Sequence, residues 1–279
     1  MLHTVFSISQ QPYQAWQAEL LSYSHARAGQ EGPVTCLVST NDPPQPMQIP
    51  TFVIASRSPH PVTGDDYAPY NKPYALSYWA KVAETDKDGV LILDPDCVFL
   101  RPIRIAPLSN RPLATPVTYM HARSVQDALR RHWANLAELQ PIAIPIVIHR
   151  DDLAQLAPLW STRTEELRAD PVARSALGWI CEMWGCSIAA AQLGLRFQLQ
   201  PLCTYPTDDD VERPIIHYCY ESTSRDGRWR WDKRGYRPWE RVPMPPASAP
   251  RAAIALAELI NNFVEERTTS TSPTSIGTT

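Results

Sequence analysis

The stretch that most restricts how this chain can fold is GVLILDPDCVFLRP, residues 89–102. An apolar run of strand character ends abruptly in two aspartates, Asp94 and Asp96, with only Pro95 between them. Such a run reads as a buried strand, and the two carboxylates at its tip pose the question of what holds them there. The flanking pattern supplies the rest of a sheet. HTVFSIS (3–9) reads as a first strand, and QAWQAELLSYSHARAG (14–29) as an amphipathic helix stopped by Gly29. PVTCLVS (33–39) and TFVIAS (51–56) are two further strands joined by a proline-rich loop, and NKPYALSYWAKVAET (71–85) is a helix feeding the strand at 89–94. This opening predicts an α/β protein with an open, mostly parallel sheet flanked by helices.

Further along, IAIPIVIH (142–149) reads as a strand and residues 151–168 and 172–193 as helices. The second of these is apolar nearly all round and is expected to be buried. RPIIHYCY (213–220) is a late strand, RAAIALAELINNFVEE (251–266) a late helix, and the polar, low-complexity residues 267–279 a disordered tail. No internal repeat and no linker is evident, so residues 1–266 are expected to form a single domain, which a chain of 279 residues can furnish with a sizeable core. With 28 prolines against 10 glycines, its loops are stiff.

The formal charge of −3 gives no electrostatic reason to expect nucleic acid or an anionic membrane as partner. No window approaches the ~20 apolar residues of a membrane span, and the N-terminus shows no signal peptide. The six cysteines contain no C-x-x-C pair and several lie in apolar runs. They read as buried free thiols, which favours a reducing compartment. The expected location is the cytoplasm.

In an open α/β sheet, ligands bind at the carboxyl ends of the strands. Asp94 and Asp96 fall on the same side of an extended segment, because side chains alternate with period two. Two hard oxygen ligands there suit Mg²⁺ or Mn²⁺, and those ions suit a diphosphate; the plainer alternative is a strand-end turn with two solvated aspartates. Two catalytic classes place Asp-x-Asp at a strand tip. In nucleotide-sugar glycosyltransferases the pair grips a metal under the diphosphate. In aspartate-nucleophile phosphatases the first Asp ends the first strand, whereas here three strands precede Asp94. The acids of TYPTDDD (204–210) follow neither a strand nor a glycine.

Other residues stand out. His217, within a strand-like run, is either a satisfied core histidine or a metal ligand. Glu182 sits on a helix with almost no polar face, where an ionised carboxylate costs several kcal/mol unless paired or at work. It reads either as partner of an arginine such as Arg174 or Arg196, or as a carboxylate facing the reacting groups. GRWRWDKRGYRPW (227–239) packs cations among aromatics. It reads as an exposed strand with cation–π pairs or as a mobile basic loop closing over a diphosphate, with Lys233 and Arg234 as the donors and Asp232 as an acceptor for a sugar hydroxyl.

Taken together, QPYQAWQAELLSY, NKPYALSYWAK, LDPDCVFLRPI, PIVIHRDDLAQLAPLW, LGWICEMWGCSIAAA, PIIHYCY and RWRWDKR resemble, in order and rough spacing, the plant hydroxyproline O-arabinosyltransferases and their relatives, the peptidyl serine galactosyltransferases. The resemblance covers about residues 3 to 265. It implies a GT-A fold, a UDP-sugar donor, a divalent metal (Mn²⁺, or Mg²⁺) and transfer with retention at the anomeric carbon. The sugar would be arabinofuranose or galactose, and the acceptor a peptide or protein carrying hydroxyproline or serine. Asp94 and Asp96 match the family's acidic metal-binding pair and His217 its late histidine. Lys72, Glu182, Trp229, Asp232, Lys233 and Arg234 also fall on family motif positions. On this reading Asp94, Asp96 and His217 bind the metal, Lys72, Asp94, Trp229, Lys233 and Arg234 bind the donor, and Glu182 and Asp232 serve the chemistry. Three departures stand out: Asp94 where the arabinosyltransferases tend to carry Glu, LCTYPTDDD in place of a more aromatic stretch, and the N-terminal membrane anchor of the plant enzymes, which this chain is expected to lack. The alternatives are a glycosyltransferase acting on a glycan or small molecule, a metal-dependent phosphatase or nucleotidyltransferase using the same Asp-x-Asp, and a non-catalytic sugar-nucleotide binder.

Overall fold

The computed structural model describes residues 1–83, 87–118, 120 and 123–271. The first half runs β1 (Leu2–Ser9), α1 (Pro12–Arg27), β2 (Val34–Ser39), β3 (Thr51–Ile54), α2 (Asn71–Val82), β4 (Gly89–Leu93), β5 (Cys97–Phe99) and β6 (Leu113–Pro116). Next come α3 (Arg123–Leu129), β7 (Ile142–His149), α4 (Arg150–Ala169), α5 (Pro171–Leu177) and α6 (Cys181–Gln192). The chain closes with β8 (Gln198–Leu199), β9 (Cys203–Thr204), β10 (Ile215–His217), β11 (Ser222–Thr223), β12 (Arg230–Trp231) and α7 (Arg251–Thr271). These elements gather into two compact units, one from Met1–Ala15, Glu31–Pro95 and Ile103–Leu202, the other from Trp16–Gln30, Asp96–Pro102 and the chain from Cys203 onward. The boundaries fall inside α1 and at the Pro95–Asp96 peptide, which is why no linker can be read in the sequence.

The first unit holds a seven-stranded sheet in the order β3-β2-β1-β4-β7-β6-β8. β1 to β4 are mutually parallel, β7 is antiparallel to β4 and to β6, and β6 and β8 are parallel. The sheet is therefore open and mostly parallel, as expected. Every residue of β4 is buried, as an uninterrupted apolar strand requires. The helix expected over 172–193 is divided: α5 ends at Gly178, whose φ of +51° a side-chain-bearing residue would resist, and a single 3₁₀ turn leads into α6.

As its apolar composition predicts, α6 is buried from Cys181 to Ala190. Its close packing on α4 depends on Gly185. A Cβ there would meet Thr164 Oγ1 at 2.4 Å and the Thr164 backbone nitrogen at 2.9 Å. Gly185→Ala should therefore cost about 1–3 kcal/mol through overpacking, despite the higher helix propensity of alanine. Thermal unfolding checks this, and an unchanged or raised midpoint would refute it.

The second unit is built on the three-stranded sheet β5-β10-β9, with β10 antiparallel to β5 and parallel to β9, and on the hairpin of β11 and β12. Its core joins Trp16 and Leu20 of α1, Val98 of β5, Ile216 and Tyr218, Trp231, and Leu256 and Ile260 of α7. Residues 267–271, read from sequence as the start of a tail, continue α7. Arg267 pairs with Glu19 and stacks 3.9 Å from the Trp239 ring, and Thr268 Oγ1 donates to the Val264 carbonyl at 2.8 Å, so the helix has anchors beyond its apolar stretch. The rest of the tail, 272–279, lies outside the described residues.

Candidate active site

β4 ends at Leu93, so Asp94 is the first residue past its carboxyl end. Within the same unit Lys72, in the first turn of α2, reaches it: Lys72 Nζ lies 2.6 Å from Asp94 Oδ1 and 3.5 Å from Glu182 Oε2. Glu182 is the second residue of α6. The sequence offered Arg174 or Arg196 as its partner, but the cation beside it is Lys72, and Arg174 stands 3.9 Å from Asp65. A single ammonium thus serves two carboxylates, and Asp94 holds the shorter contact. Burial pushes the Glu182 carboxyl up, Lys72 pulls it partly back and Asp94 adds to the rise, leaving it at about 7.

The Glu182 backbone is fixed from two sides. Its N–H donates to Tyr67 Oη at 2.9 Å, that hydroxyl donates to the Trp179 carbonyl at 2.6 Å, and Trp160 Nε1 donates to the Glu182 carbonyl at 2.8 Å. Tyr67 is itself clamped by Arg168, whose guanidinium lies 4.2 Å from the ring centroid and makes a bidentate pair with Asp65. With its main chain held in this way, Glu182 presents one oxygen, Oε1, that has no hydrogen-bond partner among the described residues.

The second unit contains the other six sequence-read residues. Asp96 immediately precedes β5 and His217 ends β10; its neighbour Tyr218 donates its N–H to the Asp96 carbonyl at 2.9 Å. His217 Nε2 lies 3.3 Å from Asp96 Oδ1, and the Lys233 ammonium is bound to Asp96 Oδ2. Asp96 and His217 are both more than nine-tenths buried. Burial opposes the Asp96 charge, but His217 and Lys233 outweigh it and hold the carboxyl well below the usual carboxylate range. Burial likewise opposes the charged ring of His217 and is overcome by Cys97 and Asp96, so the imidazole titrates well above its ordinary value.

Asp96, Cys97 and His217 each offer one ligand atom within 4.8 Å of the others, all of them buried. A carboxylate and an imidazole held this close fit a divalent first-row cation.

Three other expected residues have more local duties. Trp229 Nε1 donates to the Pro243 carbonyl at 2.8 Å while its ring packs on the core of the second unit. Asp232 accepts from the Arg234 backbone N–H at 2.9 Å and pairs with its guanidinium at 3.1 Å; the Arg234 side chain is otherwise exposed. The basic segment expected to be a mobile loop is anchored through Trp231, which packs on Tyr218 and Tyr236. Lys233, two residues on, is therefore delivered to Asp96 from a fixed point. Sequence reading missed Tyr67 and Trp160, which hold Glu182 and carry no signal in sequence. It missed Cys97 as well, although adjacency to Asp96 was visible.

Among solved structures the chain resembles the galactosyltransferase LgtC in complex with donor and acceptor sugar analogs, with a TM-score of 0.50 and 12% identity, covering 95% of this chain and 96% of that one. It also resembles the bifunctional glycosyltransferase WbbM, with a TM-score of 0.52 and 12% identity, covering 95% of this chain and 51% of that one. The fold is that of the GT-A glycosyltransferases. Residues 2–199 match the hydroxyproline O-arabinosyltransferase family N-terminal domain, and the chain belongs to that family. Its relatives include the peptidyl serine alpha-galactosyltransferase of Arabidopsis thaliana, 31% identical over 273 residues, and hydroxyproline O-arabinosyltransferase 3 of the same plant, 29% identical over 290 residues. The alignments cover 88% and 93% of this chain; the chain spans 34% of the length of the first relative and 79% of the second. Among the described residues, no helix is long and apolar enough to cross a membrane.

Proposed function

We propose that this protein is a metal-dependent retaining glycosyltransferase that moves a sugar from a UDP-sugar to a hydroxyl group of a peptide or protein. Arabinofuranose or galactose would be the sugar, and hydroxyproline or serine the acceptor. The observation that carries this reading is the buried set of Asp96, His217 and Lys233, a carboxylate and an imidazole with a lysine beside them. Family membership supports the reaction class. Asp94, Asp96 and His217 would hold the divalent cation, Mn²⁺ or Mg²⁺, which when bound would neutralise the charge of a departing diphosphate. Lys72, Lys233 and Arg234 would share that charge as hydrogen-bond donors, and Trp229 would border the nucleotide. The acceptor hydroxyl would approach the face that UDP leaves and give its proton to the departing phosphate oxygen. Glu182, with its unpartnered Oε1, would stabilise the cationic sugar or orient the acceptor, and Asp232 would receive a sugar hydroxyl.

The phosphatase reading loses support from the acids it would need. Asp208 accepts from the Tyr205 N–H at 2.9 Å, Asp209 pairs with Arg225 at 2.7 Å and Asp210 with Arg213 at 3.0 Å, so all three are engaged in local structure.

The test is UDP release from a panel of UDP-sugars with Mn²⁺, with and without hydroxyproline- or serine-containing peptides. Release from one donor, quickened by one peptide, is the expected result. Release of phosphate or diphosphate in place of UDP would overturn the reading.

A further inference from the structure

Cys97 belongs to the Asp96–His217 cluster and has no part in the function proposed above. A buried free cysteine ordinarily behaves as a small hydrophobe, and Cys36 in β2 is of that kind, with burial alone raising its thiol. Cys97 differs in its surroundings. It follows Asp96 directly, and in the antiparallel ladder of β5 and β10 it lies opposite His217. Its sulfur is within 4.8 Å of the candidate donor atoms of both. Donor atoms bound to one ion at ~2.0–2.3 Å stand roughly 3–4 Å apart, so small side-chain rotations would close this set on a single cation. The ladder fixes Cys97 and His217 from two strands of one sheet, which keeps the two donors in register.

We infer that Cys97 is a protein ligand of the cation held by Asp96 and His217, so that this seat favours thiophilic divalent ions of the Zn²⁺ and Co²⁺ kind over Mg²⁺. The inference rests on the reading that Asp96 and His217 hold a cation, and adds to it the class of ion. Thiolate and imidazole donors suit zinc-like ions, whereas Mg²⁺ prefers oxygen donors. On binding, the Cys97 thiol and the protonated His217 ring each give up a proton to solvent, and the sulfur and the freed ring nitrogen form the bonds to the metal, so uptake is accompanied by proton release.

The probe is Co²⁺, titrated into the full chain without nucleotide and followed by absorption and by calorimetry. One equivalent should produce a thiolate-to-cobalt charge-transfer band in the near ultraviolet, which Zn²⁺ abolishes by displacement and excess Mg²⁺ leaves intact. Cys97→Ser should lose the band. The double variant Cys203→Ala/Cys219→Ala, in which Cys97 is the sole thiol of its unit, should retain it; this variant decides the matter should Cys97→Ser fail to fold. Stoichiometric Co²⁺ binding without the band, or a band that survives in Cys97→Ser or vanishes in the double variant, would overturn the role of Cys97 and leave the cation site standing. Absence of any Co²⁺ or Mn²⁺ binding by calorimetry would remove the cation reading and the inference with it.

Discussion

Asp96→Asn should abolish Mn²⁺-dependent UDP binding and lower UDP release from the preferred donor on the order of 10²–10³-fold, as expected when a charge-stabilising group is removed from a buried site. Asparagine keeps the shape and removes the charge, so the effect isolates electrostatics. The same substitution leaves His217 and Lys233 as two buried cationic groups without their shared counterion, at a cost of about 3–5 kcal/mol in stability. That cost has a pH signature. Because the Asp96 carboxyl is held below its ordinary range in the folded protein, its contribution is present above the unfolded value near 4 and is lost as the pH falls through the folded one. The gap in melting temperature between wild type and variant should therefore narrow under acid. Calorimetry with UDP and Mn²⁺ checks the binding, and unchanged metal-dependent binding would sink the assignment of Asp96.

Glu182→Gln should act in opposite directions on turnover and on stability. The folded carboxyl titrates at about 7 against an ordinary value of 4.5, so between those limits the native state binds more protons than the unfolded one. Stability then falls as the pH rises through this window, by an amount on the order of 3 kcal/mol by pH 8. Glutamine avoids the loss, and Lys72 keeps Asp94 as its partner. The melting curves of the two proteins should coincide below about pH 4.5 and be fully separated above pH 7, with the variant higher by roughly 5–10 °C. UDP release by wild type should rise through about pH 7 as Glu182 ionises, and the variant should be slow at every pH. If the variant melted lower than wild type at pH 8, Glu182 would have to be a structural partner of Lys72.

How far the sequence could be read depended on the range of the interactions involved. β4 and the aspartates at its tip are spelled out within eight residues, and α6 could be expected to be buried because it is apolar all round. Local pattern was less help where neighbours decide. The break at Gly178 lies in an apolar run that looks continuous, and α7 outlasts its apolar stripe because Glu19 and Trp239, distant in sequence, hold Arg267. Within the candidate site the donor residues could be singled out by type and placement. Their pairings could not: Glu182 beside Lys72 joins two helices far apart in sequence, and Cys97 opposite His217 results from strand register. Trp229 and Asp232 occupy family positions, and their hydrogen bonds to the Pro243 carbonyl and to Arg234 are contacts that the sequence did not announce.

The interleaving of the two units sets a limit on how this protein can be shortened. A fragment ending at residue 199, where the family match stops, would retain all the strands of the large sheet but lose β9, β10 and α7. β5 would be left as a bare edge, and Trp16, Leu20 and Val98 would face water. Exposed apolar surface beside an unpaired strand is a template for aggregation. The part of this chain that can be expressed by itself is therefore longer than the part the family's N-terminal domain covers.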